Sequence, residues 1–315
     1  MRRHSAYLAW GVVLLLALVF VCAGSGLDFT YVIPKRLGRL AAMLMGGLCI
    51  AWSSIAFQTL TGNRILTPAI MGYEAVYLLL QALLVLFLGS ASLVLLGSNG
   101  NFLLSLLVLC GYSWGLHRWL FHSGKSNLYF LLLLGLVLSM VIGTFTQFVQ
   151  LKVSPGEFSI LLGFAQASLH RAQPQQLLLA ALLVSAVGLV GRKSLATLDV
   201  LSLGRDQAIS LGVDYHRSVR LYLALIALLV AVSTSLVGPT AFMGVFVANI
   251  SYALAGTLRH RATLPLASAV AVGIFILGQL LVEHVFNYKT TVGILVNLVC
   301  GGYFLMLMVR TRGAP

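Results

Sequence analysis

The side chains able to do chemistry are few and widely spread in this 315-residue chain, which has only 7 carboxylates, 7 histidines and 4 cysteines. General acid–base or nucleophilic catalysis needs such groups to converge on one point. None of the spacings that achieve this is present: there is no HExxH, no GxSxG and no lysine loop of the Walker type. The chain therefore reads as a non-enzyme. His117, His122, His170, His216, His260 and His284 lack paired ligand spacing, so no metal site is expected. Cys22, Cys49, Cys110 and Cys300 lie in apolar runs without a CxxC pair and read as small hydrophobes.

Glu74 and Glu283 are the carboxylates near long apolar segments, each at a segment end. A carrier driven by its own proton or sodium gradient places carboxylates within its spans. Energy is therefore expected from another chain. Glu74, beside Tyr73, is expected at the membrane interface with its head in water. Gln58, Gln81 and Gln279 are candidates either to line a polar path or to hydrogen-bond between helices.

The elements that must carry these residues are membrane spans. The chain is 60% hydrophobic and 9% charged with mean hydropathy +1.00, more than a water-soluble domain of this size buries. Apolar segments able to cross ~30 Å of hydrocarbon recur from end to end. A first one runs to Val21 behind Arg2 and Arg3 and is read as a retained helix rather than a cleaved signal or a lipoprotein leader ending at Cys22. Others are placed at 40–58, 73–89, 102–121, 127–146, 175–191, 218–237, 241–256, 266–282 and 293–309. The polar stretch 147–174 is expected to hold a short interfacial helix around Phe158–Leu169.

The net charge of +13 is scattered over short loops, which argues against nucleic acid and for a topology signal. Alternating ten spans from an inner N-terminus puts 14 of the 20 Lys and Arg inside, so the chain reads as N-in, C-in. Three of the six outer ones, Lys35, Arg36 and Arg39, crowd together against that rule. The longest inner loop, 192–217, has mixed charge and reads as a docking surface. Within it, Leu201–Gly212 has the form of a short amphipathic helix, with Ser202 as cap, Leu203, Ala208 and Leu211 as apolar positions and Gly212 as stop. Pro68–Gly72 and Pro239–Gly244 are similar short segments on opposite sides, as an inverted repeat requires, though a match this short also arises by chance.

Four motifs then occur in order. They are Arg36-Leu37-Gly38-Arg39; Gln58 followed by Asn63-Arg64-Ile65-Leu66-Thr67-Pro68-Ala69-Ile70-Met71-Gly72; Leu203-Gly204 through Ala208 to Leu211-Gly212-Val213; and Val237-Gly238-Pro239 through Phe242-Met243-Gly244. Together they resemble the iron-chelate and cobalamin permease family of ABC importers, over nearly the whole chain. The Asn63–Pro68 form, Val247-Ala248-Asn249 and Gly278–Tyr288 look most like permeases for anguibactin-, vibriobactin- or petrobactin-type ferric siderophores, which are catechol-bearing iron chelates.

The resemblance implies an all-α type II importer permease of about ten transmembrane helices, a single domain over residues 1–315. It implies a bacterial inner-membrane location, no cofactor in this chain, ATP and Mg on a partner subunit, and partners comprising an ATP-binding subunit dimer, a second permease and an extracytoplasmic binding protein. A heterodimer of permeases is expected, with a homodimer as the alternative. Arg36 and Arg39 match the arginines that meet the binding protein, or alternatively hold lipid phosphate; Gly38 stands where the family has proline. Leu203, Gly204, Arg205, Asp206, Ala208, Leu211 and Gly212 match the helix that couples to the ATPase, and Asn63 and Ile65 match the inner gate. A third docking arginine is replaced by Glu283. A secondary transporter or a membrane receptor without an ATPase partner are the competing classes.

Overall fold

In lipid a backbone must satisfy its own hydrogen bonds, which leaves the helix as the open-ended solution. The computed structural model describes residues 4–23, 30–89, 96–122, 128–240 and 242–312, and among them the chain forms twelve α-helices and no strand. These are α1 (His4–Cys22), α2 (Val32–Thr61), α3 (Tyr73–Leu88), α4 (Gly97–His122), α5 (Leu128–Gln150), α6 (Pro155–Ala165), α7 (Pro174–Leu201), α8 (Arg205–Ser210), α9 (Tyr215–Leu236), α10 (Met243–Ala255), α11 (His260–His284) and α12 (Val292–Arg312). Each of the ten expected spans coincides with a helix. Six of them, in α1, α2, α5, α7, α9 and α11, are long and apolar enough to cross alone.

The exposed surface is apolar, as a lipid-facing one must be. Leu14 and Leu15 on α1, Leu133 and Met140 on α5, and Leu178 and Leu182 on α7 are all exposed. The core is α2, α9 and α11, each about two-thirds buried along its span. Small residues let these helices approach closely. A Cβ at Gly47 of α2 would lie 2.8 Å from Val272 Cγ2 and 3.1 Å from the Val272 backbone nitrogen on α11.

Helix ends depart from expectation where capping decides them. Ser154 accepts from the Glu157 amide and Pro155 occupies the first turn, so α6 starts at Pro155 and ends at Ala165, upstream of the expected Phe158–Leu169. α7 continues past Arg192 and Lys193 to Leu201, because no Gly or Pro stops it after Gly191.

α3 and α10 have 16 and 13 residues, or about 24 and 20 Å at 1.5 Å per residue, short of the ~30 Å of hydrocarbon. The segments preceding them enter the bundle from opposite sides. A 3-10 turn, Pro68–Met71, precedes α3, and the Met71 carbonyl accepts from the Tyr112 hydroxyl at 2.7 Å. A Cβ at Gly135, well inside α5, would meet Met71 Cα at 2.8 Å. From the other side the Val237 carbonyl accepts from the Ser168 amide at 2.8 Å. The two segments meet where Glu74 Oε1 accepts from the Thr240 amide at 2.8 Å. Glu74 is thus half-buried within the bundle and ties two half-helices together, not at the interface with its head in water; the dipping of the chain at 68–72 hides this from a reading of apolar length.

Candidate functional site: two docking faces

At the outer face, Arg36 and Arg39 stand one turn apart near the start of α2. They are helical, so Gly38 between them loosens no loop. Both point at Glu283, near the end of α11: Arg36 Nη2 lies 3.5 Å from Oε2, and Arg39 Nη1 lies 3.2 Å from Oε1. The Glu283 side chain is 4% exposed, against 11% for Arg36 and 24% for Arg39. Arg36 also donates to the Ala23 carbonyl at 2.6 Å and to the Phe20 carbonyl, closing the C-terminal end of α1.

The cluster extends further than the arginines. Gln279 Nε2 donates to Glu283 Oε1 at 2.8 Å and lies 3.4 Å from His170 Nε2. Tyr288 sits with its ring centroid 6.1 Å from that of His170, beside Glu283 and Arg39. Asn287 and Tyr288 reach this position through left-handed backbone, φ 45° and 60°, strained for a tyrosine. Burial, and secondarily the Arg39 charge, hold the His170 imidazole below its usual pKa, with Glu283 opposing. Glu283 thus supplies the counter-ion toward which both Arg36 and Arg39 are oriented. Two guanidiniums against one carboxylate leave the cluster a net positive charge, and Arg39 is its more accessible cation.

At the inner face the amphipathic segment forms α8, with Gly204 (φ 101°) before it and Gly212 (φ 80°) ending it, as the glycine stop anticipated. Ser202 does not cap α8. It closes α7, its hydroxyl donating to the Asp199 carbonyl at 2.6 Å. Ala208 is fully buried against the chain, whereas Leu203, Ile209 and Leu211 are 55%, 49% and 61% exposed. Apolar side chains are thus presented on a polar loop, with Arg205 stacked 5.8 Å from the Tyr215 ring and Asp206 in the first turn.

A polar chain centred on the buried His260 connects this arm to the end of α2. Asp199 Oδ1, on the last turn of α7, accepts from both the backbone amide (2.9 Å) and Nδ1 (2.6 Å) of His260. His260 Nε2 lies 2.8 Å from Thr59 Oγ1. A hydroxyl, an imidazole and a carboxylate in series have the form of a nucleophilic triad. The Thr59 hydroxyl, however, also bonds the Ile55 carbonyl, and both ring nitrogens of the 1% exposed His260 are taken up by Asp199 and Thr59. The chain is a tie between α2, α7 and α11. Residues 59, 199 and 260 share no sequence spacing, and no motif signals them.

The gate candidates follow the tie along α2. Asn63 Oδ1 accepts from the Ile65 amide at 2.9 Å in an Asx turn, the Arg64 carbonyl accepts from Asn249 Nδ2 at 3.0 Å, and the Arg64 guanidinium lies 5.3 Å from the Tyr252 ring. Gln58, Gln81 and Gln279 are each buried inside the subunit, so none lines an open path in this conformation. Gln81 instead bridges to Asn101 (3.0 Å) and Ser105 (3.1 Å) between α3 and α4, and Gln279 belongs to the outer cluster. The Gln58 amide has no partner among the described residues.

The model of the FecCD transport family matches residues 7–310. The petrobactin import system permease protein YclO of Bacillus subtilis (strain 168) is 34% identical over 304 residues, covering 95% of this chain and 96% of that protein. Its counterpart FatC of Bacillus anthracis is 33% identical over 285 residues, covering 90% and 80%. A solved metal-chelate type ABC transporter in an inward-facing conformation shares the fold, with TM-score 0.85 at 19% identity over 98% of this chain and 99% of that one.

Proposed function

The chain belongs to the FecCD transport family, and from that premise we propose that it is one permease of an ATP-driven importer that carries a ferric siderophore of the petrobactin type across the bacterial cytoplasmic membrane. The cargo class follows from the permeases YclO and FatC, to which the chain is a third identical over most of its length. The observation that carries the coupling half of the reading is the exposure of Leu203, Ile209 and Leu211 on α8. Three apolar side chains on an inner loop lose free energy to water until a soluble partner covers them.

The geometry supports a division of labour. A binding protein with acidic residues docks at Arg39 and its neighbours on the outer face. Two ATP-binding subunits grip α8 of this chain and of a second permease, most simply a different one. Nucleotide-driven movement of α8 passes along the end of α7 through Asp199 and His260 to Thr59, and so to the Asn63–Ile65 turn at the inner mouth. The cargo path lies between the two permeases, because each bundle is filled by its own core. No bond of the cargo is broken in this chain.

Charging the α8 face tests the proposal. Leu211→Asp is expected to abolish co-purification with the ATP-binding subunit while the permease still inserts and folds, since the Leu211 side chain is 61% exposed. Unchanged co-purification and unchanged uptake would remove α8 from the coupling role.

A further inference from the structure

A groove of about 760 Å³ runs along the inner half of the bundle, walled by α1, α2, α7, α9 and α11, within the ~300–1,000 Å³ range of ligand sites. Its lining is mostly aliphatic, with Leu225 and Leu264 typical; Trp52 packs over Gly188 of α7, and Gly191, where a Cβ would meet nothing within 4 Å, leaves the helix bare. The polar groups of its aromatic walls are already used. Trp10 Nε1 donates to the Pro265 carbonyl (3.1 Å), Trp52 Nε1 to Ser268 Oγ (2.9 Å), and the Tyr222 hydroxyl to the Ser194 carbonyl (2.6 Å). Two cations remain. Arg192 and Arg261 both line the groove, both are exposed, and neither has a partner among the described residues.

An apolar slot flanked by the lipid-facing helices α1 and α7, with two unneutralised guanidiniums at its inner end, is matched by one kind of molecule. From this we infer a specific site for an anionic phospholipid of the inner leaflet, its acyl chain lying alongside Trp10 and Trp52 where Gly191 leaves α7 open, and its phosphate held by Arg192 and Arg261. Guanidinium recognises a phosphate by paired, charge-assisted hydrogen bonds, and basic pockets between helices at the inner surface favour anionic over zwitterionic headgroups. Both tryptophans are anchored by their own hydrogen bonds, so the slot exists before the lipid arrives and costs little to fill.

The site bears on coupling, a consequence that rests on the function proposed above. Leu198, Tyr222 and His260 line the same groove, and His260 is the middle of the tie from the α8 arm to α2. A lipid seated there braces the segment through which that arm moves.

Native mass spectrometry of the purified importer, delipidated and then titrated with phosphatidylglycerol or phosphatidylcholine, tests the site independently of transport. One phosphatidylglycerol per chain is expected to be retained at least 5-fold more strongly than phosphatidylcholine. The double variant Arg192→Gln with Arg261→Gln is expected to erase that preference. Gly191→Leu is expected to block retention with both arginines intact; a Cβ there meets nothing within 4 Å, so this variant keeps the fold. Equal retention of the two lipids, or selective retention surviving both variants, overturns the site whatever the importer transports. Selective retention with ATP hydrolysis unaffected by lipid would uphold the site and overturn its link to coupling.

Discussion

Glu283→Gln removes the counter-ion of the outer cluster and separates two roles for its arginines. Arg36 keeps the Ala23 and Phe20 carbonyls, and its 3.5 Å approach to Glu283 is at the limit of a hydrogen bond, so its loss is small. Arg39, at 3.2 Å, loses a charge-assisted bond. Such a bond is worth about 1.5–3 kcal/mol, and the 24% exposure of the Arg39 side chain discounts it to ~1–2 kcal/mol. The substituted amide can still accept from Gln279, so that contact cancels. A double-mutant cycle with Arg39→Gln, read by thermal unfolding in nanodiscs, is expected to return a coupling of ~1 kcal/mol. Freeing a second positive charge should at the same time speed association of an acidic binding protein about 3–10-fold at low salt, the gain fading as the ~8 Å Debye length of physiological salt shortens further. Strict additivity in the cycle would refute the ion pair. Association slowed by Glu283→Gln would refute the claim that Glu283 restrains rather than supplies the docking charge.

Three further perturbations probe the connections inside the chain. Asp199→Asn weakens the tie to His260 without opening a cavity and is expected to lower cargo moved per ATP about 5–10-fold, a loss of ~1–1.4 kcal/mol of coupling, with ATP hydrolysis persisting in a paired hydrolysis and uptake assay. Gly135→Ala sets a Cβ 2.8 Å from Met71 Cα, where backbone must give way, and is expected to cost ~1–3 kcal/mol of stability by thermal unfolding, whereas Gly143→Ala, with nothing within 4 Å, costs none. His170 binds its proton less readily folded than unfolded; both forms are neutral well above pH ~6.5, and below it the unfolded chain takes up the proton first, so folded stability falls on acidification. His170→Gln is expected to flatten that decline between about pH 6.5 and 5, measured as unfolding temperature against pH.

The spans were legible because each is a continuous apolar run, and the outer cations and the α8 loop because they break the topology and polarity rules of their surroundings. Gly212, with positive φ, made the end of α8 readable as well, whereas its start was placed too early, at Ser202, which instead closes α7. What escaped is long-range side-chain pairing. Glu283 read as a missing arginine because sequence shows a residue's charge and not the partner it faces across 244 positions. Glu74 read as interfacial because the entry of 68–72 into the bundle depends on Gly135 leaving space for it, which no local propensity records. The tie of Thr59, His260 and Asp199 is built from the ends of three helices and becomes visible only once they pack.

Reconstitution of the co-expressed assembly into proteoliposomes tests the central claim most directly. This chain is purified with an ATP-binding subunit and a second permease, and uptake of radio-iron as a petrobactin-type chelate is followed with its binding protein outside. The account predicts that the three subunits purify together without crosslinking and that uptake requires ATP inside and the binding protein outside. A chain that purifies alone and carries the chelate without ATP would contradict it.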